Sequence, residues 1–327
     1  MELTEEVKKE MFWWMLLARR LDERAWELHR QGKIAFHISG IGHEAAQVGA
    51  AFAIRRGYDW VAPYYRDLAF SLVLGYTPRQ FALSLMGKRE EPNSGGRQMP
   101  NHWSLRSANL VSHSAPVATQ ALHAAGIGLA IKLKKEGKVV LTSLGEGSTS
   151  QGEWYEAITW AAAHQLPVIF IVQNNKYALS ERPEKQMTVK SVADKASGFG
   201  LPGVSVDGTD VFAVYDVVAK AVSEARAGNG PTVIETVAYR IAPHSSDDEY
   251  QNYRARDEVE ERKSSDPLLT ARIRLQNEEI IDLDSIDEME TQAKGIVDAA
   301  IDYAEKAPFP APEEASYPVY VEEIHHG

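Results

Sequence analysis

The feature that most constrains the fold is a pair of short, almost wholly apolar runs separated by a helical stretch. The runs cover residues 139–144 (VVLTSL) and 168–172 (VIFIV), and residues 153–164 between them have helical periodicity. Apolar runs of this length without alternation are typical of strands buried on both faces, and a helical crossover makes such strands parallel. The sequence therefore predicts an α/β fold, a mainly parallel sheet flanked by helices on both faces.

The remaining sequence extends this pattern in both directions. Further strands are predicted at 203–206 and 232–239, alternating with helices at 118–135, 191–199 and 210–227. Before and after this unit, helices are predicted at 5–30, 43–56, 66–86 and 266–306. The other predicted segments are a long loop at 87–113, a polar stretch at 243–265 and an extended tail at 307–318.

No internal repeat or sharp change in composition marks a domain boundary. We therefore expect residues 1–327 to form a single domain, with an N-terminal helical extension over about 1–35 and a C-terminal helical region and extended tail over about 266–327.

Composition excludes several classes of partner and chemistry. Lys+Arg number 35 against Asp+Glu 46, a net charge of −11, so the long-range field repels nucleic acid and anionic membranes and neither is expected as a partner. The absence of cysteine excludes thiolate metal sites and cysteine nucleophiles. The start MELTEEVKKE lacks the apolar core of a signal peptide, so a cytoplasmic or matrix-like location is expected.

Polar residues follow both apolar runs. Gly145, Glu146 and Gly147 end the first run, and Asn175 closes the Asn-Asn pair that ends the second. Parallel strands place these ends on one edge of the sheet, where α/β proteins bind ligands. Carboxylate and amide oxygens suit Mg²⁺, and a Gly-rich turn before a helix start near Gly152 lets backbone amides approach a phosphate.

This segment, GEGSTSQGEWYEAITWAAAHQLPVIFIVQNNKYALS, resembles the thiamine-diphosphate signature, and the resemblance covers residues from about 10 to 305. The sequence resembles most strongly the alpha subunits of branched-chain 2-oxo acid dehydrogenases. The resemblance implies that Mg²⁺ is bound by Glu146, the Asn175 side chain and the Tyr177 carbonyl. The residues that it implies for cofactor binding are Tyr65, Arg66, Ala115, Val117, Gly145, Glu146, Gly147, Ser148, Gln173, Asn175 and the catalytic candidate His244. Gln173 departs from the pattern, because related branched-chain enzymes can carry arginine there.

The stretch SHSAPVATQ at 112–120 matches a monovalent-cation site seen in some members of the family. The matching residues are Ser114, Pro116, Thr119 and Gln120. A tightly packed helix start explains the same residues equally well.

Two further motifs bear on the substrate. GRQMPNHW within 95–103 is typical of the branched-chain group, whereas pyruvate-type subunits usually carry different residues there. Beside HISGIGHEAAQVG, Phe36 and His37 are candidates for the substrate pocket, although a histidine near an apolar face is more often packed than catalytic.

Within YRIAPHSSDDEYQNYR at 239–254, which matches the family, residues 242–254 are interpreted as a mobile loop that closes over the cofactor. Arg240 is expected to pair with Asp247 or Asp248 and order the loop, and related mitochondrial enzymes are regulated at the serine that matches Ser245. The alternative is an ordinary solvated polar loop.

The implied function is oxidative decarboxylation of branched-chain 2-oxo acids with acyl transfer to a lipoyl group. The implied partners are a beta subunit, in a heterotetramer of two alpha and two beta chains, and a lipoyl-bearing acyltransferase component. In the family an activating glutamate comes from the beta subunit, so the lone chain is expected to be inactive. Two alternatives stay open: the alpha subunit of a pyruvate or acetoin dehydrogenase, and a non-catalytic assembly subunit.

Two decoy motifs are set aside. Gly126-Ile127-Gly128 lies inside a predicted helix, which argues against a nicotinamide-binding turn. Asp194-Lys195-Ala196 copies the tripeptide around a lipoylated lysine, but it lies in a helical segment, so Lys195 is expected to be an ordinary surface lysine.

Overall fold

A parallel sheet forms the centre of the protein. The computed structural model describes residues 3–113 and 115–316. Its strands are β1 Trp60–Ala62, β2 Val140–Gly145, β3 Val168–Asn174, β4 Gly203–Asp207 and β5 Thr232–Val237. In the described residues they form one sheet of order β1-β2-β3-β5-β4, and every neighbouring pair is parallel. The predicted α/β fold class is confirmed.

Helices cover both faces of the sheet. In chain order they are α1 Glu5–Arg30, α2 Glu44–Phe52, α3 Leu68–Leu74, α4 Pro78–Leu85, α5 Thr119–Lys134, α6 Gly152–Ala163, α7 Pro183–Gln186, α8 Val192–Ser197, α9 Val211–Arg226, α10 Arg256–Arg262, α11 Pro267–Asn277 and α12 Leu283–Lys306. None of the helices in the described ranges is both long enough and apolar enough to span a bilayer.

The central strands divide their side chains between two cores. Leu141 and Ile169 belong to the core formed with α1, α2, α9 and α12, whereas Val140 and Phe170 belong to the core formed with α5, α6 and α8. Alternate residues of a strand point to opposite faces, so a strand covered on both faces must be apolar throughout. This requirement explains the continuous apolar runs of β2 and β3.

The strand register brings the polar ends of β2 and β3 together. Gly145 lies opposite Gln173, and Asn174 lies opposite Val237 at the end of β5. The Gly-Glu-Gly turn and the Asn-Asn pair therefore share one edge of the sheet, as the sequence predicts.

The N-terminal helix is tied into the body of the protein. Phe12 and Leu28 of α1 belong to the larger core. Arg19 donates to Glu44 at the start of α2 and to both carboxylate oxygens of Asp266, the N-cap of α11. Burial of an ion pair is favourable only when its geometry and hydrogen bonding are good, which these contacts provide.

Three local predictions are wrong. The helix expected over 66–86 is interrupted at Gly75, where φ is +109°, and α4 begins afresh with Thr77 as its N-cap. Strand β1 lies between the predicted helices 43–56 and 66–86, where no strand was predicted. Its three residues are too few to show the alternation of a strand. Helix α10 lies within the polar stretch 243–265, where no helix was predicted. Val259 is the single buried residue of this helix, so its sequence shows no apolar periodicity.

Candidate functional site

A cavity of about 210 Å³ opens at the carboxyl edge of β2 and β3. Its lining comes from the turn after β2, the turn after β3 and two loops that approach from elsewhere in the chain. The lining residues are Tyr64, Tyr65, Arg66, Val117, Gly145, Glu146, Gly147, Ser148, Gln151, Asn175, Tyr177, Ala178, Leu179 and His244. Most of the predicted cofactor-binding residues are thus brought to one place.

Glu146 has one carboxylate oxygen engaged and one without a partner. The backbone N–H of Asn175 donates to Oε2 at 3.2 Å. Among the described residues, the buried Oε1 accepts no hydrogen bond. Burial raises the pKa of this carboxyl, because removing water disfavours its charged form. An unpartnered buried carboxylate oxygen costs free energy unless a proton or a cation occupies it.

Asn175 is held from behind by His43, which the sequence analysis missed as a site residue. The Asn175 amide nitrogen lies 3.1 Å from Nε2 of His43, and His43 Nδ1 lies 3.3 Å from the Gly40 carbonyl. Burial, followed by the nearby Arg66, lowers the pKa of His43 to about 3. The neutral ring therefore accepts a hydrogen bond from the Asn175 amide through Nε2. Oδ1 of Asn175 accepts one from the backbone N–H of Tyr177 at 3.2 Å and keeps a second lone pair for another ligand.

The turn after β3 carries the third predicted metal ligand. Lys176 adopts a left-handed conformation with φ +72°, which reverses the chain before Tyr177. The Tyr177 carbonyl accepts a hydrogen bond from Arg240 at 2.9 Å and retains a second lone pair. Gly147 lies so close to this turn that a Cβ would be 2.4 Å from Cβ of Ala178, so only glycine fits there.

These oxygen atoms suit a hard divalent cation. In the described part of the chain, no group of three or more His, Cys, Asp or Glu side chains is arranged to hold a metal. A metal here must therefore use a mixed set of one carboxylate, one amide and one carbonyl. Mg²⁺ accepts such sets because it keeps water and phosphate oxygens in its remaining positions.

The opposite wall of the cavity is cationic. Arg66 is 1% exposed, and its guanidinium contacts the Ser39 carbonyl, the Tyr64 hydroxyl and the carbonyl of His244. Neither Arg66 nor the equally buried Arg240 is paired with a carboxylate in the residues that the structure describes. Unpaired buried cations favour an anionic ligand, and phosphate groups match the geometry of a guanidinium.

His244 completes this wall as a neutral side chain. Burial, followed by the charges of Arg66 and Arg240, lowers its pKa to about 3. Its backbone N–H donates to Asp248 at 2.7 Å, which fixes the ring beside the Arg66 guanidinium. A neutral imidazole can donate one hydrogen bond to an anion without adding charge.

Two predicted cofactor-binding residues lie outside the cavity. Gln173 is buried behind it, where its amide nitrogen donates to Asp67 at 2.6 Å and its oxygen accepts from Gln47 at 3.2 Å. Ala115 is exposed and does not line the cavity. Neither residue therefore lines the cavity with the other predicted ligands, although the backbone of Gln173 pairs with Gly145.

The predicted monovalent-cation residues are only partly brought together. Thr119 donates to Glu153 at 2.8 Å, and Gln120 donates to the Ser143 carbonyl at 2.9 Å. Within the described ranges the buried Oε1 of Gln120 has no partner. Pro116 is exposed, and Ser114 lies outside the described residues.

The two substrate-pocket candidates are separated from the main cavity. Phe36 lines a second opening of about 430 Å³ beside Gln98 and Pro100. His37 is fully buried, with Nε2 3.0 Å from Asp22, and lines neither cavity. Its role in the substrate pocket stays a prediction, and the observed contacts are those of a packed histidine.

The loop contacts differ from those predicted. Arg240 does not pair directly with Asp247 or Asp248; it donates to the hydroxyl of Tyr253, which in turn donates to Asp248. Asp247 is exposed and lies 3.6 Å from Nε2 of His29. The Tyr253 hydroxyl thus bridges Arg240 and Asp248 in place of the expected ion pair, because Arg240 also donates to the Tyr177 and Leu179 carbonyls in the turn after β3. Ser245 lies next to His244 and is half-buried.

The expectation for Lys195 is also wrong. Its Nζ donates to Oγ1 of Thr149 at 2.8 Å, and Thr149 donates to the carbonyl of Glu146 at 2.7 Å. Lys195 is half-buried, and its hydrogen bond to Thr149 joins α8 to the turn after β2.

We expect Lys195→Met to loosen the turn at 146–150. The loss of about 1 kcal/mol of hydrogen bonding should speed local amide exchange about fivefold in hydrogen-exchange mass spectrometry. Lys190→Met, at an exposed position before α8, is the control. Unchanged exchange in the Lys195 variant would show that the contact does not stabilise the turn.

Comparison with known proteins agrees with this geometry. The model of the family described as dehydrogenase E1 component matches residues 13–313. The chain is 48% identical over 318 residues, 97% of its length and 96% of the relative's, to 2-oxoisovalerate dehydrogenase subunit alpha of Bacillus subtilis. It is 39% identical over 277 residues (85% of this chain and 72% of the relative) to 3-methyl-2-oxobutanoate dehydrogenase subunit alpha of Mycobacterium tuberculosis. Identity to the pyruvate dehydrogenase E1 component subunit alpha of Staphylococcus aureus is 36% over 305 residues, 93% of this chain and 80% of the relative. The chain belongs to the dehydrogenase E1 component family.

Proposed function

We propose that this chain is the alpha subunit of the decarboxylating component of a branched-chain 2-oxo acid dehydrogenase. It oxidatively decarboxylates branched-chain 2-oxo acids and passes the acyl group to a lipoyl group of an acyltransferase component. The family match and the two most similar relatives described above, both branched-chain enzymes by name, support this assignment.

The observation that carries the proposal is the free Oε1 of Glu146 beside Asn175 and Tyr177. These residues face the unpaired guanidinium of Arg66 across one cavity. One cavity therefore offers oxygen ligands for a cation and a guanidinium for an anion. Thiamine diphosphate with Mg²⁺ is the cofactor of the family that fits both halves.

The chain's own residues bind and orient this cofactor. Glu146, Asn175 and the Tyr177 carbonyl would hold Mg²⁺, and His43 fixes the Asn175 amide group by accepting from its nitrogen. Arg66 and neutral His244 hold the diphosphate, with Tyr65, Val117 and Ser148 along the remaining wall. When bound, the cofactor supplies the electron sink that decarboxylation requires.

The remaining half of the active site is expected from a beta subunit. An alpha subunit of this family works with a beta chain and further components. We propose two alpha and two beta chains, with the cofactor between them and its activating glutamate on the beta chain. The purified alpha chain alone should then give no turnover.

The substrate prediction is tested on the assembled alpha–beta enzyme. We expect 3-methyl-2-oxobutanoate to have a higher kcat/KM than pyruvate, by about 10–200-fold, since small changes in an apolar side chain change transition-state binding by only about 1–3 kcal/mol. Reduction of a lipoyl acceptor is the measurement, with and without thiamine diphosphate and Mg²⁺.

Each other outcome has a distinct meaning. A preference for pyruvate would make the chain the alpha subunit of a pyruvate-type enzyme. Assembly with a beta chain but no cofactor binding would identify a non-catalytic assembly subunit. Full turnover from the alpha chain alone would overturn the shared active site.

A further inference from the structure

The carboxylate of Glu258 on α10 bonds to residues of other segments, one of which, Tyr177, lines the cavity. It accepts the hydroxyl of Tyr177 at 3.0 and 3.2 Å and the hydroxyl of Tyr239 at 3.1 Å. Arg182 also donates to it and forms an ion pair. With 22% of its side chain exposed, Glu258 makes these contacts largely out of water. The predicted metal-ligand turn, the end of β5 and α10 therefore meet at one carboxylate.

The surroundings of Tyr177 are strongly cationic. The guanidinium carbons of Arg182, Arg240 and Arg254 lie 5.2, 5.7 and 5.6 Å from the centre of its ring. In the described residues, the salt bridge to Glu258 is the one in which any of these three takes part. Glu258 therefore places a negative charge beside this cluster and accepts a hydrogen bond from the tyrosine hydroxyl.

Tyr177 makes contacts through both its side chain and its backbone carbonyl. Its hydroxyl donates to Glu258, whereas its backbone carbonyl accepts a hydrogen bond from Arg240 at 2.9 Å, and Tyr177 is one of the residues that line the cavity. The peptide that carries this carbonyl joins Tyr177 to Ala178, so its direction depends on the ψ angle of Tyr177. With the hydroxyl bonded to Glu258 and the Ala178 N–H donating to the Glu181 carbonyl at 2.9 Å, this peptide has few alternative orientations.

We propose that Glu258 is a positioning residue for the metal site. By holding the Tyr177 side chain, it sets the direction of the Tyr177 carbonyl and so raises the affinity for Mg²⁺. Helix α10 directly follows the segment 239–254, so the same carboxylate transmits the docking of that segment to the metal. This inference rests on the proposed function for the identity of the metal and goes beyond it in assigning a role to Glu258.

A double-mutant cycle on the assembled alpha–beta enzyme tests the inference. Glu258→Ala removes the acceptor, and Tyr177→Phe removes only the hydroxyl while leaving the backbone carbonyl. Each should weaken Mg²⁺ binding in the presence of thiamine diphosphate by about tenfold, the usual effect of losing an outer partner of a metal ligand. The double variant should be no weaker than the weaker single variant, since both act through one contact.

The control is Glu260→Ala on the same helix, because Glu260 is exposed and bonds only to Lys263 among the described residues. It should bind Mg²⁺ like the unchanged enzyme. Hydrogen exchange of 176–182 without cofactor gives a second readout, which should rise in Glu258→Ala and stay unchanged in Glu260→Ala.

The outcomes separate this inference from the function on which it rests. If the unchanged enzyme shows no Mg²⁺-dependent binding, the proposed function fails first. If it binds normally but the two single effects add in the double variant, or Glu258→Ala lowers only the melting temperature, the positioning role is overturned.

Discussion

Glu146→Gln is expected to weaken thiamine diphosphate binding by more than about 100-fold in the presence of Mg²⁺. Even outer partners of a metal ligand cost about 10–100-fold when removed, and Glu146 supplies the anionic oxygen itself. The amide keeps the size of the side chain but replaces the charge. Calorimetric titration of the assembled enzyme with thiamine diphosphate, in Mg²⁺ and in EDTA, measures the effect.

The variant should lose metal dependence without losing the fold. The unchanged enzyme should bind far more weakly in EDTA, whereas Glu146→Gln should bind equally weakly in both buffers. Because burial already raises the pKa of Glu146, a neutral isostere should leave the melting temperature of the cofactor-free enzyme unchanged or higher. Glu156→Gln, at an exposed position of α6, is the matched control. Retained metal dependence in Glu146→Gln would refute the assignment.

The parts of this site that the sequence predicts are those that local pattern determines. The apolar runs that become β2 and β3 require a buried parallel pair, and such a pair places Glu146 and Asn175 on one edge without further information. The observed hydrogen bond between them confirms that proximity. Resemblance to a family extends the prediction to Arg66 and His244, which belong to distant loops.

Residues that act through tertiary contacts are not visible in the same way. His43 sits at the start of α2 and reaches Asn175 only because α2 packs behind the sheet edge. Lys195 and Glu258 are charged residues of short helices, and nothing in the local sequence distinguishes them from solvated surface residues. Their burial depends on residues far away in the chain, so no local period reports it.

Gln173 was predicted to bind the cofactor, but its side chain does not line the cavity. The family resemblance implies a phosphate contact for Gln173, at a position where related enzymes can carry arginine. The Gln173 side chain instead donates to Asp67, whose pKa burial raises to about 6 although Ser143 and Gln173 donate to it. The resemblance therefore did not predict that this side chain contacts Asp67 and Gln47 and does not line the cavity.

Ser245→Glu is expected to weaken thiamine diphosphate binding by about 30–100-fold. Ser245 adjoins His244, which lines the cavity; at an effective dielectric constant of about 20, two unit charges about 5–7 Å apart repel by about 2–3 kcal/mol. Asp248 already accepts the backbone N–H of His244, so the added charge meets another acid as well. The cofactor should then no longer order the segment 242–254, which hydrogen exchange with and without cofactor measures.

Ser245→Gln separates charge from size, because glutamine has the shape of glutamate without its charge. We expect it to bind at least tenfold more tightly than Ser245→Glu, with the difference shrinking at high salt as the repulsion is screened. Equal losses in both variants would show that the loop is blocked by bulk alone. Protection of 242–254 that does not depend on cofactor, in the unchanged enzyme, would show that its packing through Arg254 and the Tyr253–Asp248 contact already suffices. In that case a charge at Ser245 would have to act on the diphosphate directly, and the loss of affinity would persist while exchange stayed constant.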